Sequence, residues 1–253
     1  MLHGTVILFF TISALVSGCE DGTRPCDRTD AGGDAACPRC DASCGDADAE
    51  PTESDEDVLR RIMTARRSIR QWSGTPVTRA DVDALFWAAQ GITAPDRPTG
   101  LPGVMGFRTA PSAGATYPLE MYLLAESVDG LDQGVYWYHT VEGAIEPAGV
   151  EGSLAADFAD ACSEQPWVGE AAANFVIAAV LERTTARYGP RGTMYVHLEA
   201  GHAAQNMMLM AVARGLGTVA IGAFDGPRIA RMLGLPEGHD PMYIVTVGHP
   251  GEP

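Results

Sequence analysis

The sequence predicts an α+β domain preceded by a flexible tether. Three observations carry that expectation. Helical and strand patterns come in blocks, helices then strands then helices then strands, instead of regular βαβ units. No glycine fingerprint follows a strand and opens a helix, which argues against a tightly held dinucleotide in a Rossmann site. The first 57 residues also differ in composition from everything after them.

Residues 5–16, TVILFFTISALV, are an uncharged apolar run of a dozen residues. Spanning a hydrocarbon core takes roughly 20 residues, so the run reads as the core of a signal peptide over residues 1–18. Leu15-Val16-Ser17-Gly18-Cys19 resembles a bacterial lipobox, with Cys19 as the lipidated mature N-terminus. The expectation is an exported bacterial membrane lipoprotein, facing the periplasm or at the cell surface, that meets the membrane through its lipid anchor only. Residues 19–56 then form an acidic tract rich in Gly, Asp, Ala and Pro, with almost no large apolar side chains to offset the entropy of ordering, so a disordered tether is expected. Within it lie Cys26, Cys37, Cys40 and Cys44. The C-x2-C spacing suits a shared metal or iron–sulfur cluster, whereas an oxidising compartment suits disulfides. Disulfides are the expectation, with no pairing assigned and no metal.

The domain proper is expected over residues 57–253, and 46% hydrophobic composition suffices for an ordinary core. Residues 20–57 hold 13 Asp or Glu against 3 Arg, a net of −10 out of −16 for the chain. Such an acidic balance argues against a nucleic-acid partner. All 17 basic residues are Arg. The absence of Lys excludes a Schiff-base lysine, a pyridoxal phosphate site and a Walker phosphate loop.

Taken in order, Val58, Leu59, Ile62 and Met63 have helical spacing, placing a first helix from about Asp55 into Arg66-Arg67-Ser68-Ile69-Arg70. That cluster has two readings: arginines that bond the last carbonyls of a helix, or a phosphate cradle of guanidinium forks and a hydroxyl. Thr78 and Asp81 form a capping-box pattern before Val82, Leu85, Phe86 and Ala89, and Gly91 stops this second helix. Ile92 to Thr116 is expected to be a long functional loop. It runs into Pro111-Ser112-Ala113-Gly114-Ala115-Thr116-Tyr117-Pro118, whose small side chains let backbone amides approach a flat ligand.

Leu119 to Ala125 and Gly134 to Thr140 read as paired strands, followed by helical turns from Leu154 to Cys162 and a buried strand from Phe175 to Leu181. The longest helix is expected from Met194 to Arg214, with Ala200, Ala203, Ala204, Met207, Met208 and Ala211 as its packing stripe. Its His197 and His202 are five apart, about 140° around the helix, so they do not make the zinc motif, which needs four. Glu199 and His202 read as a local pair or a capping network. A strand over Thr218 to Phe224 breaks at Gly222, a short helix covers Asp225 to Leu233, and Met242 to Val247 is the last strand.

Several of these stretches fall in the order found in the nitroreductase-like FMN flavoproteins, and the chain resembles that family, its SagB-type dehydrogenase branch most closely. The stretches are RRSIR from Arg66, WAAQGIT from Trp87, PSAGATYP from Pro111, GVYWY from Gly134, ERTTARYG from Glu182, EAGHAAQN from Glu199, IGAF from Ile221, and Met242 to Gly248 with its flanking Pro241. No one of them is specific, but their shared order is. The resemblance implies a nitroreductase-like fold, with a central mixed and mostly antiparallel sheet packed by helices, and an FMN-dependent oxidoreductase that passes hydride through flavin N5 by a ping-pong mechanism. NAD(P)H is implied as a transient reductant, with a small-molecule or peptide substrate and a homodimeric assembly.

By the same resemblance Arg66 and Arg67 hold the FMN phosphate, Ser68 the ribityl chain and Arg70 the N1/O2 edge. Pro111, Ser112, Ala113 and Gly114 lie against the ring from the other subunit, while Ile221, Gly222 and Ala223 meet it near N5. No protein side chain is assigned as catalytic; Arg70 and Gly222 are nearest the reactive ring. The Lys-Tyr pair of azoline-oxidising members has no counterpart here, because there is no Lys. No basic residue follows Arg231, so phosphate binding is expected to lean on Arg66 and Arg67. The alternative function is a non-catalytic lipid-anchored binding module that keeps the fold.

Overall fold

The computed structural model of the protein describes residues 53–99 and 105–252. The apolar run 5–16, Cys19 and the four cysteines Cys26, Cys37, Cys40 and Cys44 lie outside the described residues. Ser54 opens helix α1 (Asp55–Ala65) by accepting the Asp57 amide on its hydroxyl, and Asp55, Glu56 and Asp57 set negative charge against the positive end of the helix dipole. The helix starts at Asp55, where the helical spacing places it, so Asp55 and Glu56 form its first turn.

Strand β1 (Val77–Thr78) leads into α2 (Arg79–Gln90) through the predicted capping box. The Thr78 hydroxyl accepts the Asp81 amide at 3.1 Å, and the Asp81 carboxylate accepts the Thr78 amide at 2.9 Å. The stretch expected to be one loop contains instead a hairpin of β2 (Ile92–Pro98) and β3 (Met105–Arg108). Its register slips twice, and Pro95, Pro98 and Gly106 interrupt the period-two pattern by which a strand is recognised.

The chain then forms β4 (Leu119–Ala125), β5 (Val128–Asp129), β6 (Gly134–His139) and β7 (Ala144–Glu151), followed by α3 (Ala155–Ala161), α4 (Pro166–Gly169) and β8 (Ala173–Ala179). It ends with α5 (Glu182–Tyr188), α6 (Arg191–Ala213), β9 (Gly217–Ile221), α7 (Gly226–Met232) and β10 (Asp240–Gly248). The longest helix starts three residues before its expected position and β8 two residues before. β7 was not anticipated: Pro147 and Gly149 suppress its strand signal, and an edge strand tolerates both.

The main sheet has the order β7-β6-β4-β8-β10-β9 with antiparallel neighbours throughout. Among the described residues, parallel pairing is limited to β1 with β5 and to one bridge, Ser68 with Thr218. Period-two alternation splits the sheet's side chains between two cores. Met121, Leu123, Phe175, Ile177, Val245 and Val247 meet Phe86 of α2 and Ala200, Ala203 and Met207 of α6 on one face. Tyr122, Leu124, Val176 and Ile244 meet Phe158 of α3 and Ile229 of α7 on the other. β8 lies between both layers and is buried at every residue, which is why its sequence is a continuous apolar run without alternation. Its one polar residue, Asn174, is satisfied by donating to Val168 O at 3.0 Å and accepting from Thr246 Oγ1 at 2.9 Å. The stripe on α6 packs as predicted, with Ala200, Ala203, Ala204, Met207 and Ala211 buried and Met208 partly so.

Candidate functional site

β9 is the last strand of the sheet, and the arginine cluster lies along its open edge. Ser68 bridges to Thr218 in parallel, with Ile69 N donating to Thr218 O at 2.9 Å. Beyond it Ser73 N donates to His249 O at 3.0 Å and Gly251 N to Gln71 O at 2.9 Å, so residues 68–73 are stitched between β9 and the segment after β10. Two glycines make this close approach possible. A Cβ at Gly217 would sit 3.0 Å from Ile69 atoms, and one at Gly248 would sit 2.9 Å from the Trp72 ring. Ile69 and Trp72 turn inward while Ser68 and Arg70 remain exposed.

Arg66 is half-buried, and Arg67 and Arg70 are exposed. Arg67 donates to Thr64 O at 2.8 Å and Arg66 O at 2.7 Å through one nitrogen, Nη1, which closes the end of α1 and leaves Nε and Nη2 to bond an anion. Arg70 lies over the Trp167 ring at 5.5 Å. Among the described residues none of the three forms an ion pair, whereas Arg60 and Arg61 one turn earlier pair with Glu56 and Glu53. An acidic chain that leaves three neighbouring guanidiniums without a carboxylate holds a local positive site.

β9 runs in the same direction as this segment and ends at buried Ile221, after which Gly222 and Ala223 are exposed. A Cβ at Gly222 would meet only Tyr243 Cε2, at 3.7 Å, so the surface there is open to a flat group. The structure therefore brings Arg66–Arg70 and Ile221–Ala223 to one edge of the sheet.

Pro111–Gly114 sits elsewhere within the chain. Ser112 Oγ accepts Tyr117 N at 2.9 Å, Arg187 Nη1 donates to Gly114 O at 3.2 Å, and Thr116 shares a 2.7 Å hydroxyl bond with Thr184 of α5. Among the described residues no hydrogen bond joins this loop to the arginines. Ala115 and Tyr117 hold positive φ of 51° and 42°, conformations that cost about 1–3 kcal/mol each and recur where a loop has a function.

Glu199 was misread. It is 2% exposed, lies with Val196, Ala203 and Met207 on the buried face of α6, and makes no bond to exposed His202. Its spacing on the apolar stripe was the available signal. Neither carboxylate oxygen has a well-formed hydrogen bond. Burial pushes its pKa up to about 7, against the opposing pull of the Ser112 hydroxyl and Arg108. A carboxyl raised in the folded state contributes stability that is complete below the unfolded pKa near 4.5 and lost as pH rises through about 7. Glu199→Gln is therefore expected to flatten the fall in stability between pH 5 and 8, a slope worth up to about 3 kcal/mol. Denaturant midpoints across that range check it, and an unchanged slope would contradict it.

A three-layer α+β domain with this arginine segment on its sheet edge belongs to a known class. The nitroreductase family profile matches residues 63–249, and the chain belongs to the nitroreductase family, whose members are oxidoreductases. A protein of Methanocaldococcus jannaschii, provisionally named a nitroreductase, is 39% identical over 199 residues, which are 77% of this chain and 92% of the relative. Among solved structures, a provisionally assigned nitroreductase of Anabaena variabilis matches with a TM-score of 0.64 and 26% identity over 76% of this chain. This chain spans only 38% of that neighbour's length. The NADPH:FMN oxidoreductase of Vibrio harveyi, solved with NAD+, shares the fold at a TM-score of 0.52 and 21% identity, covering 77% of this chain and 70% of its own.

Proposed function

We propose that the chain is an FMN-dependent oxidoreductase of the SagB-type dehydrogenase branch. The observation that carries the reading is the unpaired Arg66–Arg70 segment lying beside the open Gly222 surface. The residues fit the cofactor. Arg66 and Arg67 have free donors for a phosphate, the Ser68 hydroxyl is exposed for a polyol, and Arg70 is a cation for the N1/O2 edge, where reduction develops negative charge. Gly222, between Ile221 and Ala223, leaves room for the ring. When bound, FMN supplies hydride exchange at N5, taken from a reductant such as NAD(P)H and given to a second substrate in a ping-pong cycle.

The arginines alone are insufficient. Two charged hydrogen-bonding groups supply about 3 to 6 kcal/mol, and nanomolar binding needs about 12 kcal/mol. The remainder comes from covering the ring, which we assign to Pro111, Ser112, Ala113 and Gly114 of a second copy in a homodimer. Supporting this assembly, Leu59 and Trp87 are 51% and 49% exposed around an apolar groove of about 300 Å³ between α1, α2 and α6. Sedimentation of the purified protein at twice the chain mass would agree, and a monomer at micromolar concentration would contradict it.

The lipobox-like Leu15–Cys19 supports an exported, lipid-anchored protein; palmitate labelling that persists in Cys19→Ser would overturn that. The redox reading is tested by anaerobic titration of the FMN-loaded protein. NADPH or NADH is expected to bleach the flavin band, and a nitroaromatic or quinone to restore it. A bound flavin that dithionite reduces but no such acceptor reoxidises would favour a binding module over an enzyme.

A further inference from the structure

We propose that the cleft beside Arg108 is a second ligand site, distinct from the proposed flavin site, that takes a small organic carboxylate with a flat body. The cleft lies where β4 begins and β6 ends, and none of the residues assigned to FMN lines it. Its volume of about 330 Å³ suits a compact small molecule.

The argument rests on donors without acceptors. Gln90 is 1% exposed and lines the cleft, and its Nε2 has no hydrogen-bond partner. Arg108 lines the same cleft with Nε and Nη1 both buried and unpartnered. Buried polar groups are nearly always satisfied, and an unpaired buried cation is the costlier case. Unpartnered N–H groups on two residues of one cleft, one of them cationic, call for an ionised oxygen acceptor, and a guanidinium fork matches the two oxygens of a carboxylate.

The surrounding charges do not fill that role. Glu120 also lines the cleft but is held by Arg183 at 2.6 Å and by Trp137 Nε1 at 3.1 Å. His139 faces Glu146 at 2.6 Å. Glu142 is exposed at the mouth, and Glu199, buried nearby, forms no ion pair with Arg108. The ligand's flat body follows from the walls. Arg108 is stacked on the Tyr117 ring at 5.2 Å, and Trp137 and Tyr138 complete the lining.

Benzoate is the probe, titrated calorimetrically into the full chain, with benzamide as the neutral molecule of the same shape. Saturable binding of benzoate is expected, weakened about tenfold or more by Arg108→Met and matched by similarly weak binding of benzamide. Val141→Trp offers a second variant: Val141 is 70% exposed at the mouth, so the change obstructs the cleft without touching the core, and it is also expected to weaken binding about tenfold or more. No binding of benzoate to the wild-type chain would overturn the proposal. So would equal binding to both variants, or competition between benzoate and FMN, which would place the two in one site.

Discussion

Replacing Arg66 and Arg67 together by alanine is expected to strip FMN from the protein while leaving it folded. Neither guanidinium supports the core. Arg66 is half-buried and Arg67 exposed, and what Arg67 holds is the carbonyls of Thr64 and Arg66 at the end of α1. The backbone contacts that seat the segment on β9, from Ile69 N to Thr218 O and from Ser73 N to His249 O, remain in the double variant. What is lost is two charged forks for a phosphate, about 3 to 6 kcal/mol, or two to four powers of ten in affinity. Flavin absorbance retained after desalting, compared with an unchanged far-UV spectrum, is the measurement. Equal flavin content in variant and parent would show that the phosphate lies elsewhere.

Phe86→Ala should have the reverse outcome, a damaged fold with its arginine segment still in place. Phe86 is fully buried, stacks on Tyr138 at 4.6 Å with ring planes 3° apart, and meets Phe175 of the central strand edge-on at 4.9 Å. It is the point at which α2 is fixed to both β6 and β8. Truncation removes the transfer energy of the ring and leaves a cavity that a close-packed sheet cannot fill, costing about 3 to 5 kcal/mol. For a domain of this size that lowers the melting temperature by about 6 to 20 °C. A loss below about 1 kcal/mol would mean that α2 can slide to close the gap.

These two experiments separate what the sequence discloses from what it conceals. The capping box at Thr78 and Asp81, the stripe on α6 and the paired strands β4 and β6 were legible because each is a local pattern of period or spacing. The β2–β3 hairpin and β7 were not, because Pro95, Pro98, Pro147 and Gly149 erase the alternation that marks a strand, and the pairing partners supply what the pattern lacks. The site divides in the same way. Arg66–Arg70 could be singled out by composition, and the glycines Gly217 and Gly248 that seat it acquire meaning only once Ile69 and Trp72 are found against them. Glu199 was lost to its neighbour His202 in sequence, although its place on the apolar face sets it apart. Gln90 and Arg108, 18 residues apart in the chain, meet only in the folded cleft.

The central claim is that this nitroreductase-family domain carries FMN on the arginine segment at the edge of its sheet. It is tested most directly by the visible spectrum of the purified protein, reconstituted with FMN and then desalted. The account predicts a retained flavin band, equimolar with the chain and lost in the Arg66→Ala, Arg67→Ala double variant. A colourless protein would contradict it.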